Sequence, residues 1–101
     1  MNAKTFEDFT TTARSAGFDE VLERCWAPDT VLDVHTHFFD AEAVVIQGEM
    51  WLTCDGVTRH LTNGDTFTIG RQVPHSERYG SQGATYWVAR RNAYKNKSRS
   101  W

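Results

Sequence analysis

The sequence has little of what marks secreted, membrane or nucleic-acid-binding proteins. It holds only two cysteines in 101 residues, too few for a disulfide framework. No apolar run approaches the roughly 20 residues of a membrane span, and residues 1–10 lack the apolar core of a signal peptide. A formal charge of −2 offers no general attraction for nucleic acid or anionic lipid. We therefore expect a cytoplasmic protein, with neither nucleic acid nor membrane as a partner.

What is present is a short chain with enough apolar residues for one core. It is 40% hydrophobic and has no linker rich in proline or serine, which predicts a single domain over residues 1–101. Between about residues 18 and 91, short runs rich in valine, isoleucine, threonine and aromatics alternate with turn signals. This pattern predicts antiparallel strands in a sandwich or small barrel. The basic segment 92–101 predicts a solvated tail.

The first segment predicts one short helix, at about residues 5–16. Thr5 is a candidate N-cap, with Asp8 three residues later. Phe9 and Ala13 share one helical stripe, and Gly17 marks the end.

A polar stretch, HTHFFDAE, interrupts the strand pattern at residues 35–42. His35 and His37 share one face if they lie on a strand, because successive side chains point to opposite faces. A hairpin would bring the Glu42 carboxylate back toward the two rings. Imidazole and carboxylate groups bind first-row divalent metals. Taken alone, two alternating histidines on a strand are more often exposed or hydrogen-bonded side chains than metal ligands.

A further candidate ligand lies far along the chain. His75 follows a Gly-Asp turn, an alternation of Phe67 and Ile69, and a proline. The intervening chain is long enough for two hairpins and a return to the first two histidines. His60 has no partner at ligand spacing, so we expect it on an exposed strand.

These residues together resemble the two motifs of the cupin superfamily, over roughly residues 20–91. The first motif is His-x-His, four residues, a glutamate and then Gly48; the second is the turn at Gly64 and Asp65 with a distant histidine. The resemblance implies a small double-stranded β-helical barrel, or jelly roll. It also implies one divalent transition metal ion (Fe, Mn, Ni, Zn or Co) inside the barrel, bound by His35, His37, Glu42 and His75.

Two positions depart from the cupin pattern. Gly70 stands where proline is usual before the last histidine, and Tyr79 stands where asparagine is usual after it. Neither position is a ligand in the motifs, so the departures bear on the pocket wall and not on the metal site.

Alternation along the strands predicts a narrow, apolar pocket beside the metal. If Glu42 points inward, Val44 and Ile46 do too. The same reasoning turns these side chains inward: Met50, Leu52, Phe67, Ile69, Tyr86 and Val88. The predicted substrate pocket comprises Met50, Phe67, Tyr79 and Tyr86, where the tyrosines either orient a bound molecule or cap the core.

The side chains at the alternate positions of these strands predict an apolar patch on the outer surface of the barrel. Val45, Trp51 and Trp87 would face outward, and a monomer seldom leaves such a patch in water. We therefore expect a homodimer.

Two functions fit these features. One is a metal-dependent enzyme, of dioxygenase or isomerase/lyase type, that acts on a small oxygenated organic compound. The other is a non-catalytic module in which the same pocket binds or senses a small molecule.

Overall fold

A computed structural model describes residues 5–91 as one helix followed by six strands. The elements are α1 (Phe6–Ser15), β1 (Glu20–Trp26), β2 (Val31–His35), β3 (Asp40–Cys54), β4 (Val57–Thr62), β5 (Thr66–Ile69) and β6 (His75–Arg91). The tail predicted at 92–101 lies outside the described residues. Within residues 5–91, no helix has the length and apolar character needed to cross a membrane.

The two long strands, β3 and β6, organise the barrel. They pair antiparallel along two segments, residues 40–48 with 84–91 and residues 50–54 with 75–79. β1 and β5 extend the first segment on its two sides, and β2 and β4 extend the second. Two four-stranded antiparallel sheets thus share β3 and β6, which is a jelly-roll arrangement. The all-β fold with one short helix, predicted from the sequence, is confirmed.

The long strands cross from one sheet to the other at a pair of glycines. Gly48 and Gly83 have positive φ angles of 78° and 68°. A Cβ on Gly48 would lie 2.1 Å from the carbonyl oxygen of Gly83, so no larger residue fits without moving the backbone. The β3–β6 register shifts on both sides of this point, between Val45 and Gln47 and between Gly48 and Met50. The first shift places one extra residue on β3, so the inward-facing side chains of this strand change from odd to even positions; the second shift places its extra residues on β6.

The predicted alternation holds on one side of these shifts and is wrong on the other. Met50 and Leu52 face the barrel interior, as expected. Before the shifts, the interior residues are Ala41, Ala43 and Val45 rather than the even-numbered ones. The remaining interior residues include Phe39, Leu61, Phe67, Ile69, Tyr79, Tyr86 and Val88.

The helix covers a second apolar cluster on the outside of the barrel. Its N-cap is Thr5, whose hydroxyl oxygen accepts a hydrogen bond from the backbone N–H of Asp8 at 3.0 Å. This cluster comprises Phe9, Ala13, Phe18, Val44, Trp87 and Ala89, with Ile46 packed against it. Val44 and Ile46 therefore face the helix and not the pocket.

The outward apolar patch expected from Val45, Trp51 and Trp87 is not formed. Val45 is fully buried in the barrel, and Trp87 is buried beneath the helix. Trp51 alone lies on the outer surface, where its ring is stacked between His60 and the Arg78 guanidinium. The expectation of a homodimer rested on this patch, and the described residues therefore give it no support.

Candidate metal centre

Three histidines, from β2, from the loop after it and from β6, meet inside the barrel. His35 ends β2 and is the register partner of His75, the first residue of β6. His37 lies in the loop after β2. That loop is tied to the turn before β6, because the backbone N–H of Gln72 donates to the carbonyl of His37 at 2.7 Å. Gln72 adopts a positive φ of 63°, a conformation disfavoured for a non-glycine residue.

The three imidazole rings are packed against one another. Their centroids are 5.0 Å apart for His35 and His37, 4.3 Å for His35 and His75, and 4.7 Å for His37 and His75. One nitrogen from each ring lies within 4.8 Å of the others. The side chain of His75 is fully buried, whereas that of His35 is 22% exposed. The His75 ring is therefore closed off from solvent, whereas the His35 ring is partly exposed although its Nε2 atom is buried.

Backbone carbonyls fix the protonation of two of these rings. Nδ1 of His35 lies 2.7 Å from the carbonyl oxygen of Asp33, and Nδ1 of His75 lies 2.9 Å from that of Val73. A carbonyl only accepts, so each Nδ1 carries the proton and donates it. In a neutral ring so oriented, Nε2 holds the lone pair, which is the form in which imidazole binds a metal.

His37 is held neutral by its surroundings. Burial, followed by the neighbouring His75, His35 and Arg90, lowers its pKa from 6.5 to about 3. Its Nε2 lies 3.1 Å from Nε2 of His75. Three imidazoles around one point form a donor set that fits a divalent transition metal ion.

The carboxylate of this cluster belongs to Glu77. Its Oε2 lies 3.3 Å from Nε2 of His35 and 3.6 Å from Nε2 of His75. The side chain is only 5% exposed, and its Oε1 accepts a hydrogen bond from the Tyr79 hydroxyl at 2.5 Å. The sequence carried a signal for this residue that was missed. Glu77 follows His75 by two positions on one strand, the same spacing that placed His35 and His37 together.

Glu42, the glutamate expected here, lies on the opposite face of β3. Its neighbours Ala41 and Ala43 point into the barrel. Its register partners are Thr68, which is exposed, and Ala89, which belongs to the cluster beneath the helix. The structure therefore brings His35, His37 and His75 together but does not bring Glu42 to them.

The tyrosines form a buried polar layer behind Glu77. Tyr79 is fully buried and its ring stacks on that of Trp26, at 5.2 Å between centroids. The Trp26 indole N–H donates to the Tyr86 hydroxyl at 3.1 Å. Burial raises the pKa of both tyrosines, and the nearby Glu77 raises it further. Both hydroxyls therefore stay protonated and act as hydrogen-bond groups.

A small cavity of about 20 Å³ opens beside the histidines. Of the predicted pocket residues, Phe67 and Tyr86 line it, whereas Met50 and Tyr79 are fully buried and do not. The lining side chains are His37, Phe39, Ala41, Phe67, Ile69, Glu77, Tyr86, Val88 and Arg90. A larger, open groove of about 390 Å³ runs along β2 to His35. The His35 ring thus borders an open groove on the β2 side.

His60 lies outside this site, on β4. Its Nε2 is 2.7 Å from Oε2 of Glu49, and both side chains are exposed, at 48% and 38%. The expectation of an exposed strand position agrees with the structure.

Neither a protein-family model nor a curated protein sequence matches the chain, but solved structures do. An RmlC-like cupin from Shewanella frigidimarina is 23% identical, with a TM-score of 0.63 over 74% of this chain and 68% of that one. The polyketide cyclase RemF from Streptomyces resistomycificus is 25% identical, with a TM-score of 0.62 over 78% and 58%. Oxalate decarboxylase of Bacillus subtilis, described with Mn(II) centres, is 19% identical, with a TM-score of 0.68 over 80% of this chain but only 23% of that one.

Proposed function

Since the chain is a cupin by its fold, we propose that it binds one divalent transition metal ion (Fe, Mn, Ni, Zn or Co) and is a metal-dependent enzyme acting on a small oxygenated organic compound. The observation that carries the proposal is the arrangement of His35 and His75. Their Nδ1 protons are held by backbone carbonyls, so both Nε2 lone pairs are presented toward His37 and Glu77.

We assign the carboxylate of the site to Glu77 rather than to Glu42. The Glu77 carboxylate lies within 3.6 Å of two ring nitrogens and is buried with them. Burying a carboxylate and three imidazoles together, without a cation, is costly because they lose their hydration. A cation bound by His35, His37, His75 and Glu77 would offset that cost.

Two enzyme types fit the proposed site: an isomerase or lyase, which works by proton transfer, and a dioxygenase, whose metal is commonly bound by histidines and a carboxylate. A bound divalent ion would supply Lewis acidity that polarises a carbonyl or lowers the pKa of a bound water. Glu77 also lines the cavity, so a bound compound would lie beside the carboxylate that we assign to the metal. Tyr79 holds the other carboxylate oxygen and orients the group.

The alternative is a non-catalytic module that binds or senses a small molecule. The observation in its favour is the cavity, which at about 20 Å³ has room for little more than one water molecule. A compound would then be recognised through one small group, and the metal would organise the pocket without turnover. Product formation that follows metal loading separates the enzyme from this alternative.

The metal site is tested by elemental analysis of protein purified without an affinity tag. We expect close to one equivalent of a transition metal in the wild type, and its loss in His75→Ala. His60→Ala is the matched control, because it removes a histidine that pairs with a glutamate outside the cluster. Equal metal content in all three proteins, or none in the wild type after reconstitution, would refute the proposal.

A further inference from the structure

The turn between β5 and β6, residues 70–74, is held in place by the segment that follows β2. Two consecutive backbone N–H groups of this turn donate to that segment. The N–H of Arg71 donates to Oδ1 of Asp40 at 2.8 Å, across 31 positions of sequence. The N–H of Gln72 donates to the carbonyl of His37 at 2.7 Å. These two hydrogen bonds form a clamp between the turn and the start of β3.

The clamped turn also orients one of the histidines of the cluster. The carbonyl oxygen of Val73 lies 2.9 Å from Nδ1 of His75. Because a carbonyl only accepts, this bond holds the ring with its Nε2 toward the cluster. The position of the turn therefore acts on two rings: on His75 through Val73, and on His37 through its own backbone carbonyl.

The turn depends on the clamp because its own backbone is unfavourable. Gln72 has a φ of 63°, a left-handed conformation that costs conformational energy in a residue with a Cβ. Within the turn, the N–H of Val73 donates to the carbonyl of Gly70 at 3.2 Å, which is longer than either bond of the clamp. A strained backbone of this kind persists only where the surrounding structure holds it. A carboxylate oxygen is a stronger acceptor than a carbonyl, so Asp40 supplies the stronger half of the clamp.

We infer that Asp40 is a positioning residue for the metal centre, because the clamp keeps His37 and His75 where they bind the ion together. The inference rests on the proposed function, since it concerns the affinity of that site for its metal. Asp40 belongs neither to the histidine cluster nor to the cavity wall, so it acts through the backbone of the turn. Without the clamp, the metal-free protein opens the turn part of the time. The apparent metal affinity then falls in proportion to the fraction of molecules that stay closed.

The test compares two variants that lose the same kind of hydrogen bond. Asp40→Ala removes the acceptor of the Arg71 N–H. Asp65→Ala is the matched control, because Oδ2 of Asp65 accepts from the backbone N–H of Thr62 at 2.8 Å, in the turn between β4 and β5. That turn contributes no residue to the histidine cluster or to the cavity wall. Competition with a chelating dye measures Co(II) affinity, and the visible absorption of bound Co(II) reports on the geometry of its ligands.

We expect Asp40→Ala to weaken Co(II) binding by about threefold to tenfold and to change the visible spectrum. Asp65→Ala should lower the free energy of unfolding and leave both the affinity and the spectrum as in the wild type. Asp40→Asn keeps an oxygen acceptor at the same place and should restore both properties. Asp40→Val lacks the acceptor but suits the first position of a strand, and it decides the matter if Asp40→Ala does not fold.

A second measurement examines the clamp in the metal-free protein. Hydrogen exchange at the amides of Arg71 and Gln72 should be faster in Asp40→Ala than in the wild type, because both N–H groups lose protection when the turn opens. Exchange at these amides should be unchanged in Asp65→Ala. This readout needs no metal and separates the clamp from the ion.

The outcomes distinguish this inference from the proposed function. Failure of the wild type to retain Co(II) would refute the metal site, and with it this role of Asp40. If the wild type retains Co(II), three results would overturn the inference and leave the metal site standing. These are Co(II) binding by Asp40→Ala as tight as that of the wild type, an equal loss of affinity in Asp65→Ala, and unchanged amide exchange in Asp40→Ala.

Discussion

The chain has two places where histidine meets glutamate, and they differ in what surrounds them. On the surface, His60 and Glu49 form a single pair at 2.7 Å, with roughly half and two fifths of each side chain exposed. Inside the barrel, His35 and His75 both approach one oxygen of Glu77, and His37 completes the cluster. Water solvates the outer pair, so forming it costs little desolvation, and its contribution to the free energy of unfolding is also small. The inner cluster loses that solvation.

The difference explains why only the inner cluster indicates a function. A folded barrel could fill this volume with apolar side chains, as it does around Leu52 and Leu61. Instead it buries a carboxylate and two imidazoles next to a third that is partly exposed. Polar groups retained in a core at such a cost are characteristic of binding and catalytic sites. The same residue types on the surface carry no such implication.

The largest expected effect is a loss of stability of the metal-free protein in acid. The pKa of His37 is about 3 in the folded state and 6.5 when exposed, so between these values the unfolded chain binds the extra proton. Above pH 6.5 the neutral His37 ring does not lower the free energy of unfolding. As the pH falls toward 3, protonation of His37 in the unfolded chain lowers the free energy of unfolding by roughly 3 to 5 kcal/mol. Denaturant unfolding in the presence of a chelator measures this. His37→Asn should flatten the dependence in this window; an unchanged slope would contradict the assignment.

The next effect concerns the carboxylate of the inner cluster. Glu77→Gln keeps the shape and removes the charge, and should weaken metal binding about 10- to 100-fold, or by roughly 1.4 to 2.8 kcal/mol. Glu42→Gln is the matched control on the opposite face of β3 and should bind metal as the wild type does. Competition with a chelating dye measures both affinities. The reverse pattern, a loss with Glu42→Gln alone, would show that our reading of β3 is wrong.

A smaller effect is expected behind the carboxylate. Tyr79→Phe removes the hydroxyl that donates to Glu77 and leaves the stacked ring. It should weaken metal binding by less than tenfold, because Glu77 stays in place but loses its orienting hydrogen bond, while the fold is retained. The same dye competition and circular dichroism test this. A loss as large as that of Glu77→Gln would mean that the hydroxyl itself reaches the metal.

The smallest effect belongs to the outer pair. Glu49→Gln should change the free energy of unfolding by no more than about 1 kcal/mol and should not alter metal affinity. A large change in either quantity would remove the distinction between the surface pair and the inner cluster.

The sequence predicted the histidines of the site but not its carboxylate, for a physical reason. His35, His37 and His75 were identified because their spacing and the cupin resemblance both point to them. Glu42 was expected to point inward because a hairpin and the cupin resemblance placed its carboxylate near the histidines, and alternation was then carried unbroken along β3. The register shifts around Gly48 break that alternation. They depend on how closely two backbones approach, which side-chain patterning does not reveal.

The same limit explains the other differences in the core. Phe67 was correctly placed inside because the pairing of β5 with β3 is regular. Met50 and Tyr86 were also correctly placed inside, although each borders a register shift. Val45 and Trp87 were expected outside, but Val45 lies inside and Trp87 lies beneath the helix. Gly48 was the visible sign that the strand could not continue regularly. The helix was easier to predict, because the Thr5 cap and the Phe9 and Ala13 stripe are local features.

The most direct test is anomalous X-ray diffraction from crystals of the Co(II)-loaded protein. We predict one anomalous peak at about 2.0 to 2.2 Å from Nε2 of His35 and His75, a nitrogen of His37 and an oxygen of Glu77. A peak at Glu42, a peak only at the surface pair of His60 and Glu49, or no peak in fully loaded crystals would contradict the account.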